Sequence, residues 1–461
     1  MHAVLVSTYD LGHQPLGLAS PAAWLREAGA SVTCLDLSLD RLDGTAIRRA
    51  GLVAFHVPMH TATRLASEII PRVRALNPTA HIVAFGLYAP VNEEHLRALG
   101  VGTVIGGEYE AVLVEVFRDL AAGRAVAPQS KTIHLDKLVF RLPDRQGLPS
   151  LDSYGKLLAV DGSEGRVGYV EASRGCKHRC RHCPVVPVYD GTFRVVQRDI
   201  VVEDIAQQIE AGAEHITFGD PDFFNGSGHG MAVARRLHER FPAVTYDVTI
   251  KVEHLLRHRD LLPELASTGC LFVTTAVEAL DDDSLRILDK GHTRADFIEA
   301  LAIARDVGLT LSPTFVPFAP WTSLTGYAAL LDDIATLGLV DQVAPVQLAI
   351  RLLVPKGSLL VGYPAMDGAL GAFDPEALSY RWAHTDPKVD ALQRDIQQAV
   401  EQGDAAGESR RAVFARLWDI AHAALAVPRP LPPLPAGVRV PHMSEPWYCC
   451  AEPTELQRAA I

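Results

Sequence analysis

Positive charge is in short supply in this chain: 43 Lys and Arg stand against 55 Asp and Glu, for a formal net charge of -12, and no Lys/Arg run occurs. A nucleic-acid surface needs a basic face, so the balance argues for small-molecule chemistry instead. Long hydrophobic runs are missing too. No stretch reaches 18 apolar residues, so no membrane-spanning segment is expected. The opening MHAVLVSTYD lacks a basic region, an apolar run and a cleavage site, and reads directly as a first strand, with the cytosol as the expected compartment. Cysteine is scarce and odd in number, seven in 461 residues. Three fall within eight residues and two are adjacent near the end, which is no disulfide framework, so they read as ligands or reactive thiols.

What is present is the composition of a folded α/β enzyme: 48% hydrophobic and 21% charged residues, with 35 Gly and 30 Pro for many short connections. The length implies two or three domains. Over residues 1–125, β-branched runs (AVLVSTY, VTCLDL, LVAFHV, HIVAFG, TVIGG) alternate with helical stretches, which predicts a doubly wound parallel sheet. Ligands of such sheets sit at the carboxyl ends of the strands, where the DLGHQPLG loop (10–17) and GGEYE (106–110) fall. Residues 126–165 gather Pro, Gly and Asp and read as a linker. From 166 to 364 six further βα units, from GYVEAS to VAPVQLAIRLLV, predict a partial (βα)6 barrel with its chemistry at the strands' C-terminal ends. Residues 365–426 read as mainly helical, and 427–461 as a Pro-rich extended spacer with a Cys-Cys tail.

The segment EASRGCKHRCRHCPVVP sets Cys176, Cys180 and Cys183 in C-x3-C-x2-C spacing directly after a strand, where one loop can fold three sulfurs around one inorganic centre. Soft thiolates select iron–sulfur or zinc. Zinc is the alternative reading, with His178 or His182 as a fourth ligand of a structural site; the chain would then be a zinc-stapled scaffold that binds a metal or metalloid and is no enzyme. Cys34 and Cys270 lie in apolar runs and read as inert core thiols.

The motif in this setting resembles the radical SAM superfamily, over about residues 165–360. The resemblance implies that Cys176, Cys180 and Cys183 bind three irons of a [4Fe–4S] cluster, whose fourth iron chelates S-adenosylmethionine (SAM). It further implies that Gly219, Asp220, Pro221 and Asp222 (GDPD) stand in for the segment that receives SAM's amino group, and that Glu278 is a polar SAM-contacting position. The GDPD segment also reads as a plain turn. Lys251 and Arg351 lie near strand ends and are candidates for SAM's carboxylate or the substrate, or surface charges. His182 stands where an aromatic residue often precedes the third Cys. A low-potential donor such as flavodoxin or ferredoxin would supply the electron.

A sheet domain in front of such a core resembles the cobalamin-dependent class. That fold admits cobalamin without requiring it. Asp10, His13 and Gly17 sit in the loop that carries Asp-x-His-x-x-Gly in cobalamin domains, at longer spacing; His13 is the candidate axial ligand, or else a loop or domain-interface histidine. The tail YCCAEPTE, with STYDLGHQPLGLASPAAWL at the start, resembles the CUAEP/CCAEP-tail radical SAM proteins, some of which carry selenocysteine at the first tail position. That implies a nucleophile or metalloid ligand at Cys449, and the adjacent pair Cys449 and Cys450 is suited to clasping a thiophilic ion or to redox work. By analogy with a related group that moves SAM's 3-amino-3-carboxypropyl group to arsenic, a transfer to a thiolate-held acceptor is expected, with a cobalamin-dependent methyltransferase as the alternative.

Overall fold

In a computed structural model, residues 1–427, 429–435 and 440–445 are described. The first domain is a sheet of β1 (His2–Ser7), β2 (Ser31–Asp36), β3 (Leu52–His56), β4 (His81–Phe85), β5 (Thr103–Gly107) and β6 (Ile133–His134), all parallel. Near-continuous apolar strands such as AVLV and LVAF suit a sheet buried on both faces. One face is covered by α1 (Leu16–Glu27) and α5 (Glu110–Ala121), the other by α2 (Gly44–Arg49), α3 (His60–Leu76) and α4 (Glu93–Ala98). The strand order 2-1-3-4-5-6 reverses direction between β1 and β3. A crevice opens at the carboxyl ends there, because the chain leaves the two strands toward opposite faces.

The 126–165 segment connects the two sheets and carries two short strands, of which only β6 is an edge. It adds β6 to the first sheet and β7 (Lys156–Leu158) to the second. The second sheet has the order 14-13-12-11-8-7-17. Its five parallel strands are β8 (Glu164–Val170), β11 (His215–Phe218), β12 (Thr245–Thr249), β13 (Cys270–Glu278) and β14 (Thr310–Phe315). A small antiparallel pair, β9 (Ser173–Gly175) and β10 (Phe193–Val195), follows β8 and brackets the cysteine loop and α6 (Val186–Tyr189). The outer helices are α7 (Arg198–Glu210), α8 (Ser227–Arg240), α9 (Val252–Arg257), α10 (Leu262–Ser267), α11 (Asp282–Leu288), α12 (Arg294–Asp306) and α13 (Leu324–Thr336). Thr293 and Asp296 close a reciprocal cap at the start of α12, which the sequence TRAD encodes.

The sixth parallel strand expected within 343–354 is a single turn at Pro345–Leu348 and one bridge, Phe318 to Arg351. Pro345 withholds a ladder donor there. The region expected to be helical contains a hairpin, β15 (Leu370–Asp374) and β16 (Ser379–Trp382), before α14 (Pro387–Ala405) and α15 (Arg410–Ala424). Leu417 and Trp418 of α15 belong to the same core as the barrel strands, so this region completes the domain's packing. Among its described residues the Pro-rich stretch has neither helix nor strand, and its Leu431 and Leu434 rest on that core. The described chain then returns as β17 (His442–Met443), antiparallel to β7. No described helix is long and apolar enough to cross a membrane.

Candidate active site

The carboxyl ends of both sheets face one cavity of about 410 Å3. Asp10, His13, Gly17, His56 and Gly86 line it from the first domain, and the three cysteines, Lys251 and Glu278 from the second. Cys176 and Cys180 are buried and Cys183 half-buried on one stretch of wall. Asn225 braces the loop that carries them: its Oδ1 accepts from Lys177 N (3.0 Å) and lies 3.8 Å from Cys176 Sγ, while its Nδ2 donates to the Gly175 carbonyl (3.3 Å). Arg181 N donates to the Leu288 carbonyl at 2.9 Å, and its guanidinium to the carbonyls of Arg286 and Ile287. Burial pushes the Cys176 thiol up to about 11 and Cys183 higher still, and Lys251 and Lys290 work in the opposite direction. A desolvated trio of thiols facing buried ammoniums is a site whose protons leave when a metal arrives.

Lys251 is buried with Nζ 3.6 Å from Cys180 Sγ and 4.0 Å from Glu253. Glu278 ends β13 at φ 70°, where the register against β14 shifts. A non-glycine residue held there is strained, and such strain concentrates at functional sites. Its Oε1 lies 3.2 Å from both Lys290 Nζ and His182 Nε2. Burial opposes ionisation, yet those two partners outweigh it and hold the Glu278 carboxyl at about 2. His182, the departure from an aromatic residue, thus has a partner across the cysteine loop.

The GDPD segment divides its labour. A side chain at Gly219 would strike the Tyr169 hydroxyl, 1.8 Å from an ideal Cβ, so only glycine fits. Asp220 accepts from Ala172 N (2.8 Å) and Ser173 Oγ (2.5 Å), and burial raises it to about 7. Pro221 lines the cavity. Asp222 turns to His178 and His254 and caps the turn at Phe224. Arg351 lies off the cavity: it pairs with Asp390 at 2.6 Å and stacks 3.5 Å above the Trp382 ring. Without a sixth strand to aim it inward, it locks β16 to α14.

His13 lines the cavity, its ring stacked on Tyr169 of β8 at 4.7 Å between centroids. Burial lowers it to about 4, which keeps the imidazole neutral. His56, which sequence reasoning missed because it closes an apolar strand, is also on the wall, and burial, then Arg174, lower it to about 3. Cys34 and Cys270 are buried and their thiols raised by desolvation, as expected of core residues. Cys449 and Cys450 lie outside the described residues. The chain leading to them passes the cavity: His442, Met443 and Glu445 line it, and Tyr9 Oη donates to Glu445 Oε1 at 2.7 Å.

A family profile described as the radical SAM superfamily matches residues 170–318, the stretch from β8 through β14 with all three clustered cysteines. This stretch is a radical SAM domain. Among curated relatives, the hopanoid C-3 methylase of Methylococcus capsulatus is 24% identical over 325 residues, 67% of this chain and 62% of the relative. A putative methylthiotransferase of Methanocaldococcus jannaschii is 24% identical over 297 residues, 60% of this chain and 62% of the relative. The chain thus spans under two thirds of both relatives' length. The fold is that of the radical SAM methyltransferase TsrM from Kitasatospora setae, solved with tryptophan substrate and a SAM analogue (TM-score 0.67, 17% identity, 87% of this chain and 89% of that one). It is also that of OxsB, a cobalamin-dependent SAM radical enzyme solved with aqua-cobalamin and SAM (TM-score 0.65, 13% identity, 87% and 67%).

Proposed function

We propose that this chain is a cobalamin-dependent radical SAM transferase that methylates a small molecule in the cavity between its two sheets. One observation carries the reading: a single cavity joins the switch point of the first sheet to the three cysteines of the radical SAM domain. The cobalamin named for OxsB and the methyltransferase activity named for TsrM and the hopanoid methylase support it. When bound, a reduced [4Fe–4S] cluster supplies the electron that cleaves SAM, and cobalamin carries methyl groups.

Cys176, Cys180 and Cys183 would hold the cluster, since all three line the same cavity beside the buried ammoniums of Lys251 and Lys290. Lys251 and Lys290 offset thiolate charge, and Glu278 fixes Lys290 in place. Cobalamin would sit against the first sheet's carboxyl edge, whose wall includes Gly17 and Gly86, both packed closely against His56. The neutral rings of His13 and His56 face that space. The cavity between desolvated walls shields the acceptor from water. An electron donor of the flavodoxin or ferredoxin kind fits the single electron required.

A second reading is favoured by the path of the C-terminal strap. Glu445 is fixed at the cavity by Tyr9, and Cys449 follows four residues later, a reach of about 14 Å at full extension. In this reading Cys449 and Cys450 present a thiophilic acceptor, in keeping with the resemblance to CUAEP/CCAEP-tail proteins, and SAM's aminocarboxypropyl group is transferred. Anaerobic reconstitution with iron and sulfide, then hydroxocobalamin, SAM and dithionite, separates the readings by the SAM fragments released. One equivalent of bound cobalamin with S-adenosylhomocysteine supports methyl transfer. Methylthioadenosine without cobalamin, lost in a C449S/C450S variant, supports the second. A colourless protein that leaves SAM intact sinks both.

A further inference from the structure

Beside the cysteine loop stands a second group of metal-ligating side chains that the cluster does not use. His178 comes from the loop between Cys176 and Cys180, Asp222 from the turn after β11, and His254 from α9. One ligand atom from each lies within 4.8 Å of the others. Asp222 Oδ2 is 3.6 Å from His178 Nε2 and 2.7 Å from His254 Nδ1. Asp222 and His254 are almost wholly buried, and among the described residues none of the three atoms has a hydrogen-bond partner outside the trio. Buried polar atoms that face only one another are uncommon in folded proteins, and a missing ion is one of the recognised reasons.

We infer that His178, Asp222 and His254 form a separate metal site that takes one zinc ion and clamps the cysteine loop to the turn after β11 and to α9. Two imidazoles and one carboxylate are a common zinc donor set. Bonds of about 2.0–2.1 Å in a tetrahedron set ligand atoms about 3.3 Å apart, so the two measured separations bracket the required spacing. The outer contacts are also in place. Glu253 Oε2 lies 3.5 Å from His178 Nδ1 and favours the tautomer whose Nε2 lone pair is free, and Phe224 N donates to Asp222 Oδ1 at 3.1 Å to set the carboxylate's orientation. His178 lines the cavity, which gives the ion an entry path and a water a fourth position.

The test uses full-length protein reconstituted anaerobically with iron and sulfide, equilibrated with zinc sulfate and washed with a weak chelator, with zinc and iron counted by elemental analysis. The expected result is about one zinc per chain beyond the cluster's iron, lost in both D222N and H254Q while their iron and circular dichroism spectra stay unchanged. A C176A/C180A/C183A variant should lose iron and keep this zinc. Cobalt in place of zinc should give visible bands without sulfur-to-cobalt charge transfer. Wild-type protein that retains no zinc, zinc retained by both D222N and H254Q, or a cobalt spectrum dominated by sulfur charge transfer would overturn the assignment.

Discussion

Glu278 and Lys290 put a carboxylate and an ammonium, with the His182 imidazole beside them, in a place that excludes water, and such groups are stable only as a set. Replacing Glu278 by Ala strands Lys290, whose side chain is 3% exposed. Breaking a buried pair this way costs about 3–5 kcal/mol. Urea denaturation should show a loss of that size for E278A and a smaller one for E278Q, which keeps an acceptor for the ammonium. Because the folded carboxyl is held at about 2, below its ordinary value near 4.5, its contribution is intact above that ordinary value and disappears as pH falls toward 2. Asp220 has the opposite sign. Burial raises it to about 7, so its penalty is absent below pH 4 and grows as pH rises to 7. D220N should flatten the pH dependence of stability between 4 and 7. It should change stability at pH 5 by about 1 kcal/mol or less, since an amide can still accept from Ala172 N and donate to Ser173 Oγ.

At the scale of elements, α1 shows how closely the first domain is fitted to its cavity. Gly17 sits in the first turn of α1, and an ideal Cβ there would be 2.0 Å from Cε1 of His56 at the end of β3. G17A should lower stability by about 1–3 kcal/mol through overpacking. Removing the ring in G17A/H56A should restore part of it in a thermal melt. The first domain's strands and helices were legible because alternation between β-branched and helical runs is a local signal, and the cysteine loop because its ligands lie within eight residues. His56, Asn225 and His254 were not legible as site residues. They lie far from the cysteines in sequence, and only the folding of the chain brings them together. The sixth strand was misread because QLAIRLLV is apolar for another reason: Leu348 and Leu352 pack against core elements while the backbone turns. Strands β7 and β17 escaped notice because an edge pair of two or three residues needs no periodic pattern.

The cavity exists only while the two domains stay in register, and Arg174 is the central fastener between them. It extends from β9 into the first domain, where its guanidinium lies 2.9 Å from Glu110 and 3.5 Å from Glu108, and it is also bonded to Glu171 at 2.8 Å. Its plane rests 4.9 Å from the ring centres of Tyr109 and Phe140, one from the first domain and one from the connector. Burial raises Glu108 to about 7 even with this arginine present, and Glu110 adds to the rise. Without the guanidinium, Glu108, Glu110 and the partly exposed Glu171 remain with no cation to offset them. R174M should therefore lose about 3–5 kcal/mol at neutral pH. The loss should be smaller at pH 5, where Glu108 is protonated and the repulsion is relieved. If the arginine fastens the domains, proteolysis of R174M should cut first within the connector, residues 126–165, at pH 8 and slow again at pH 5. Equal cleavage at both values would show that the domains are held together by their apolar contacts instead.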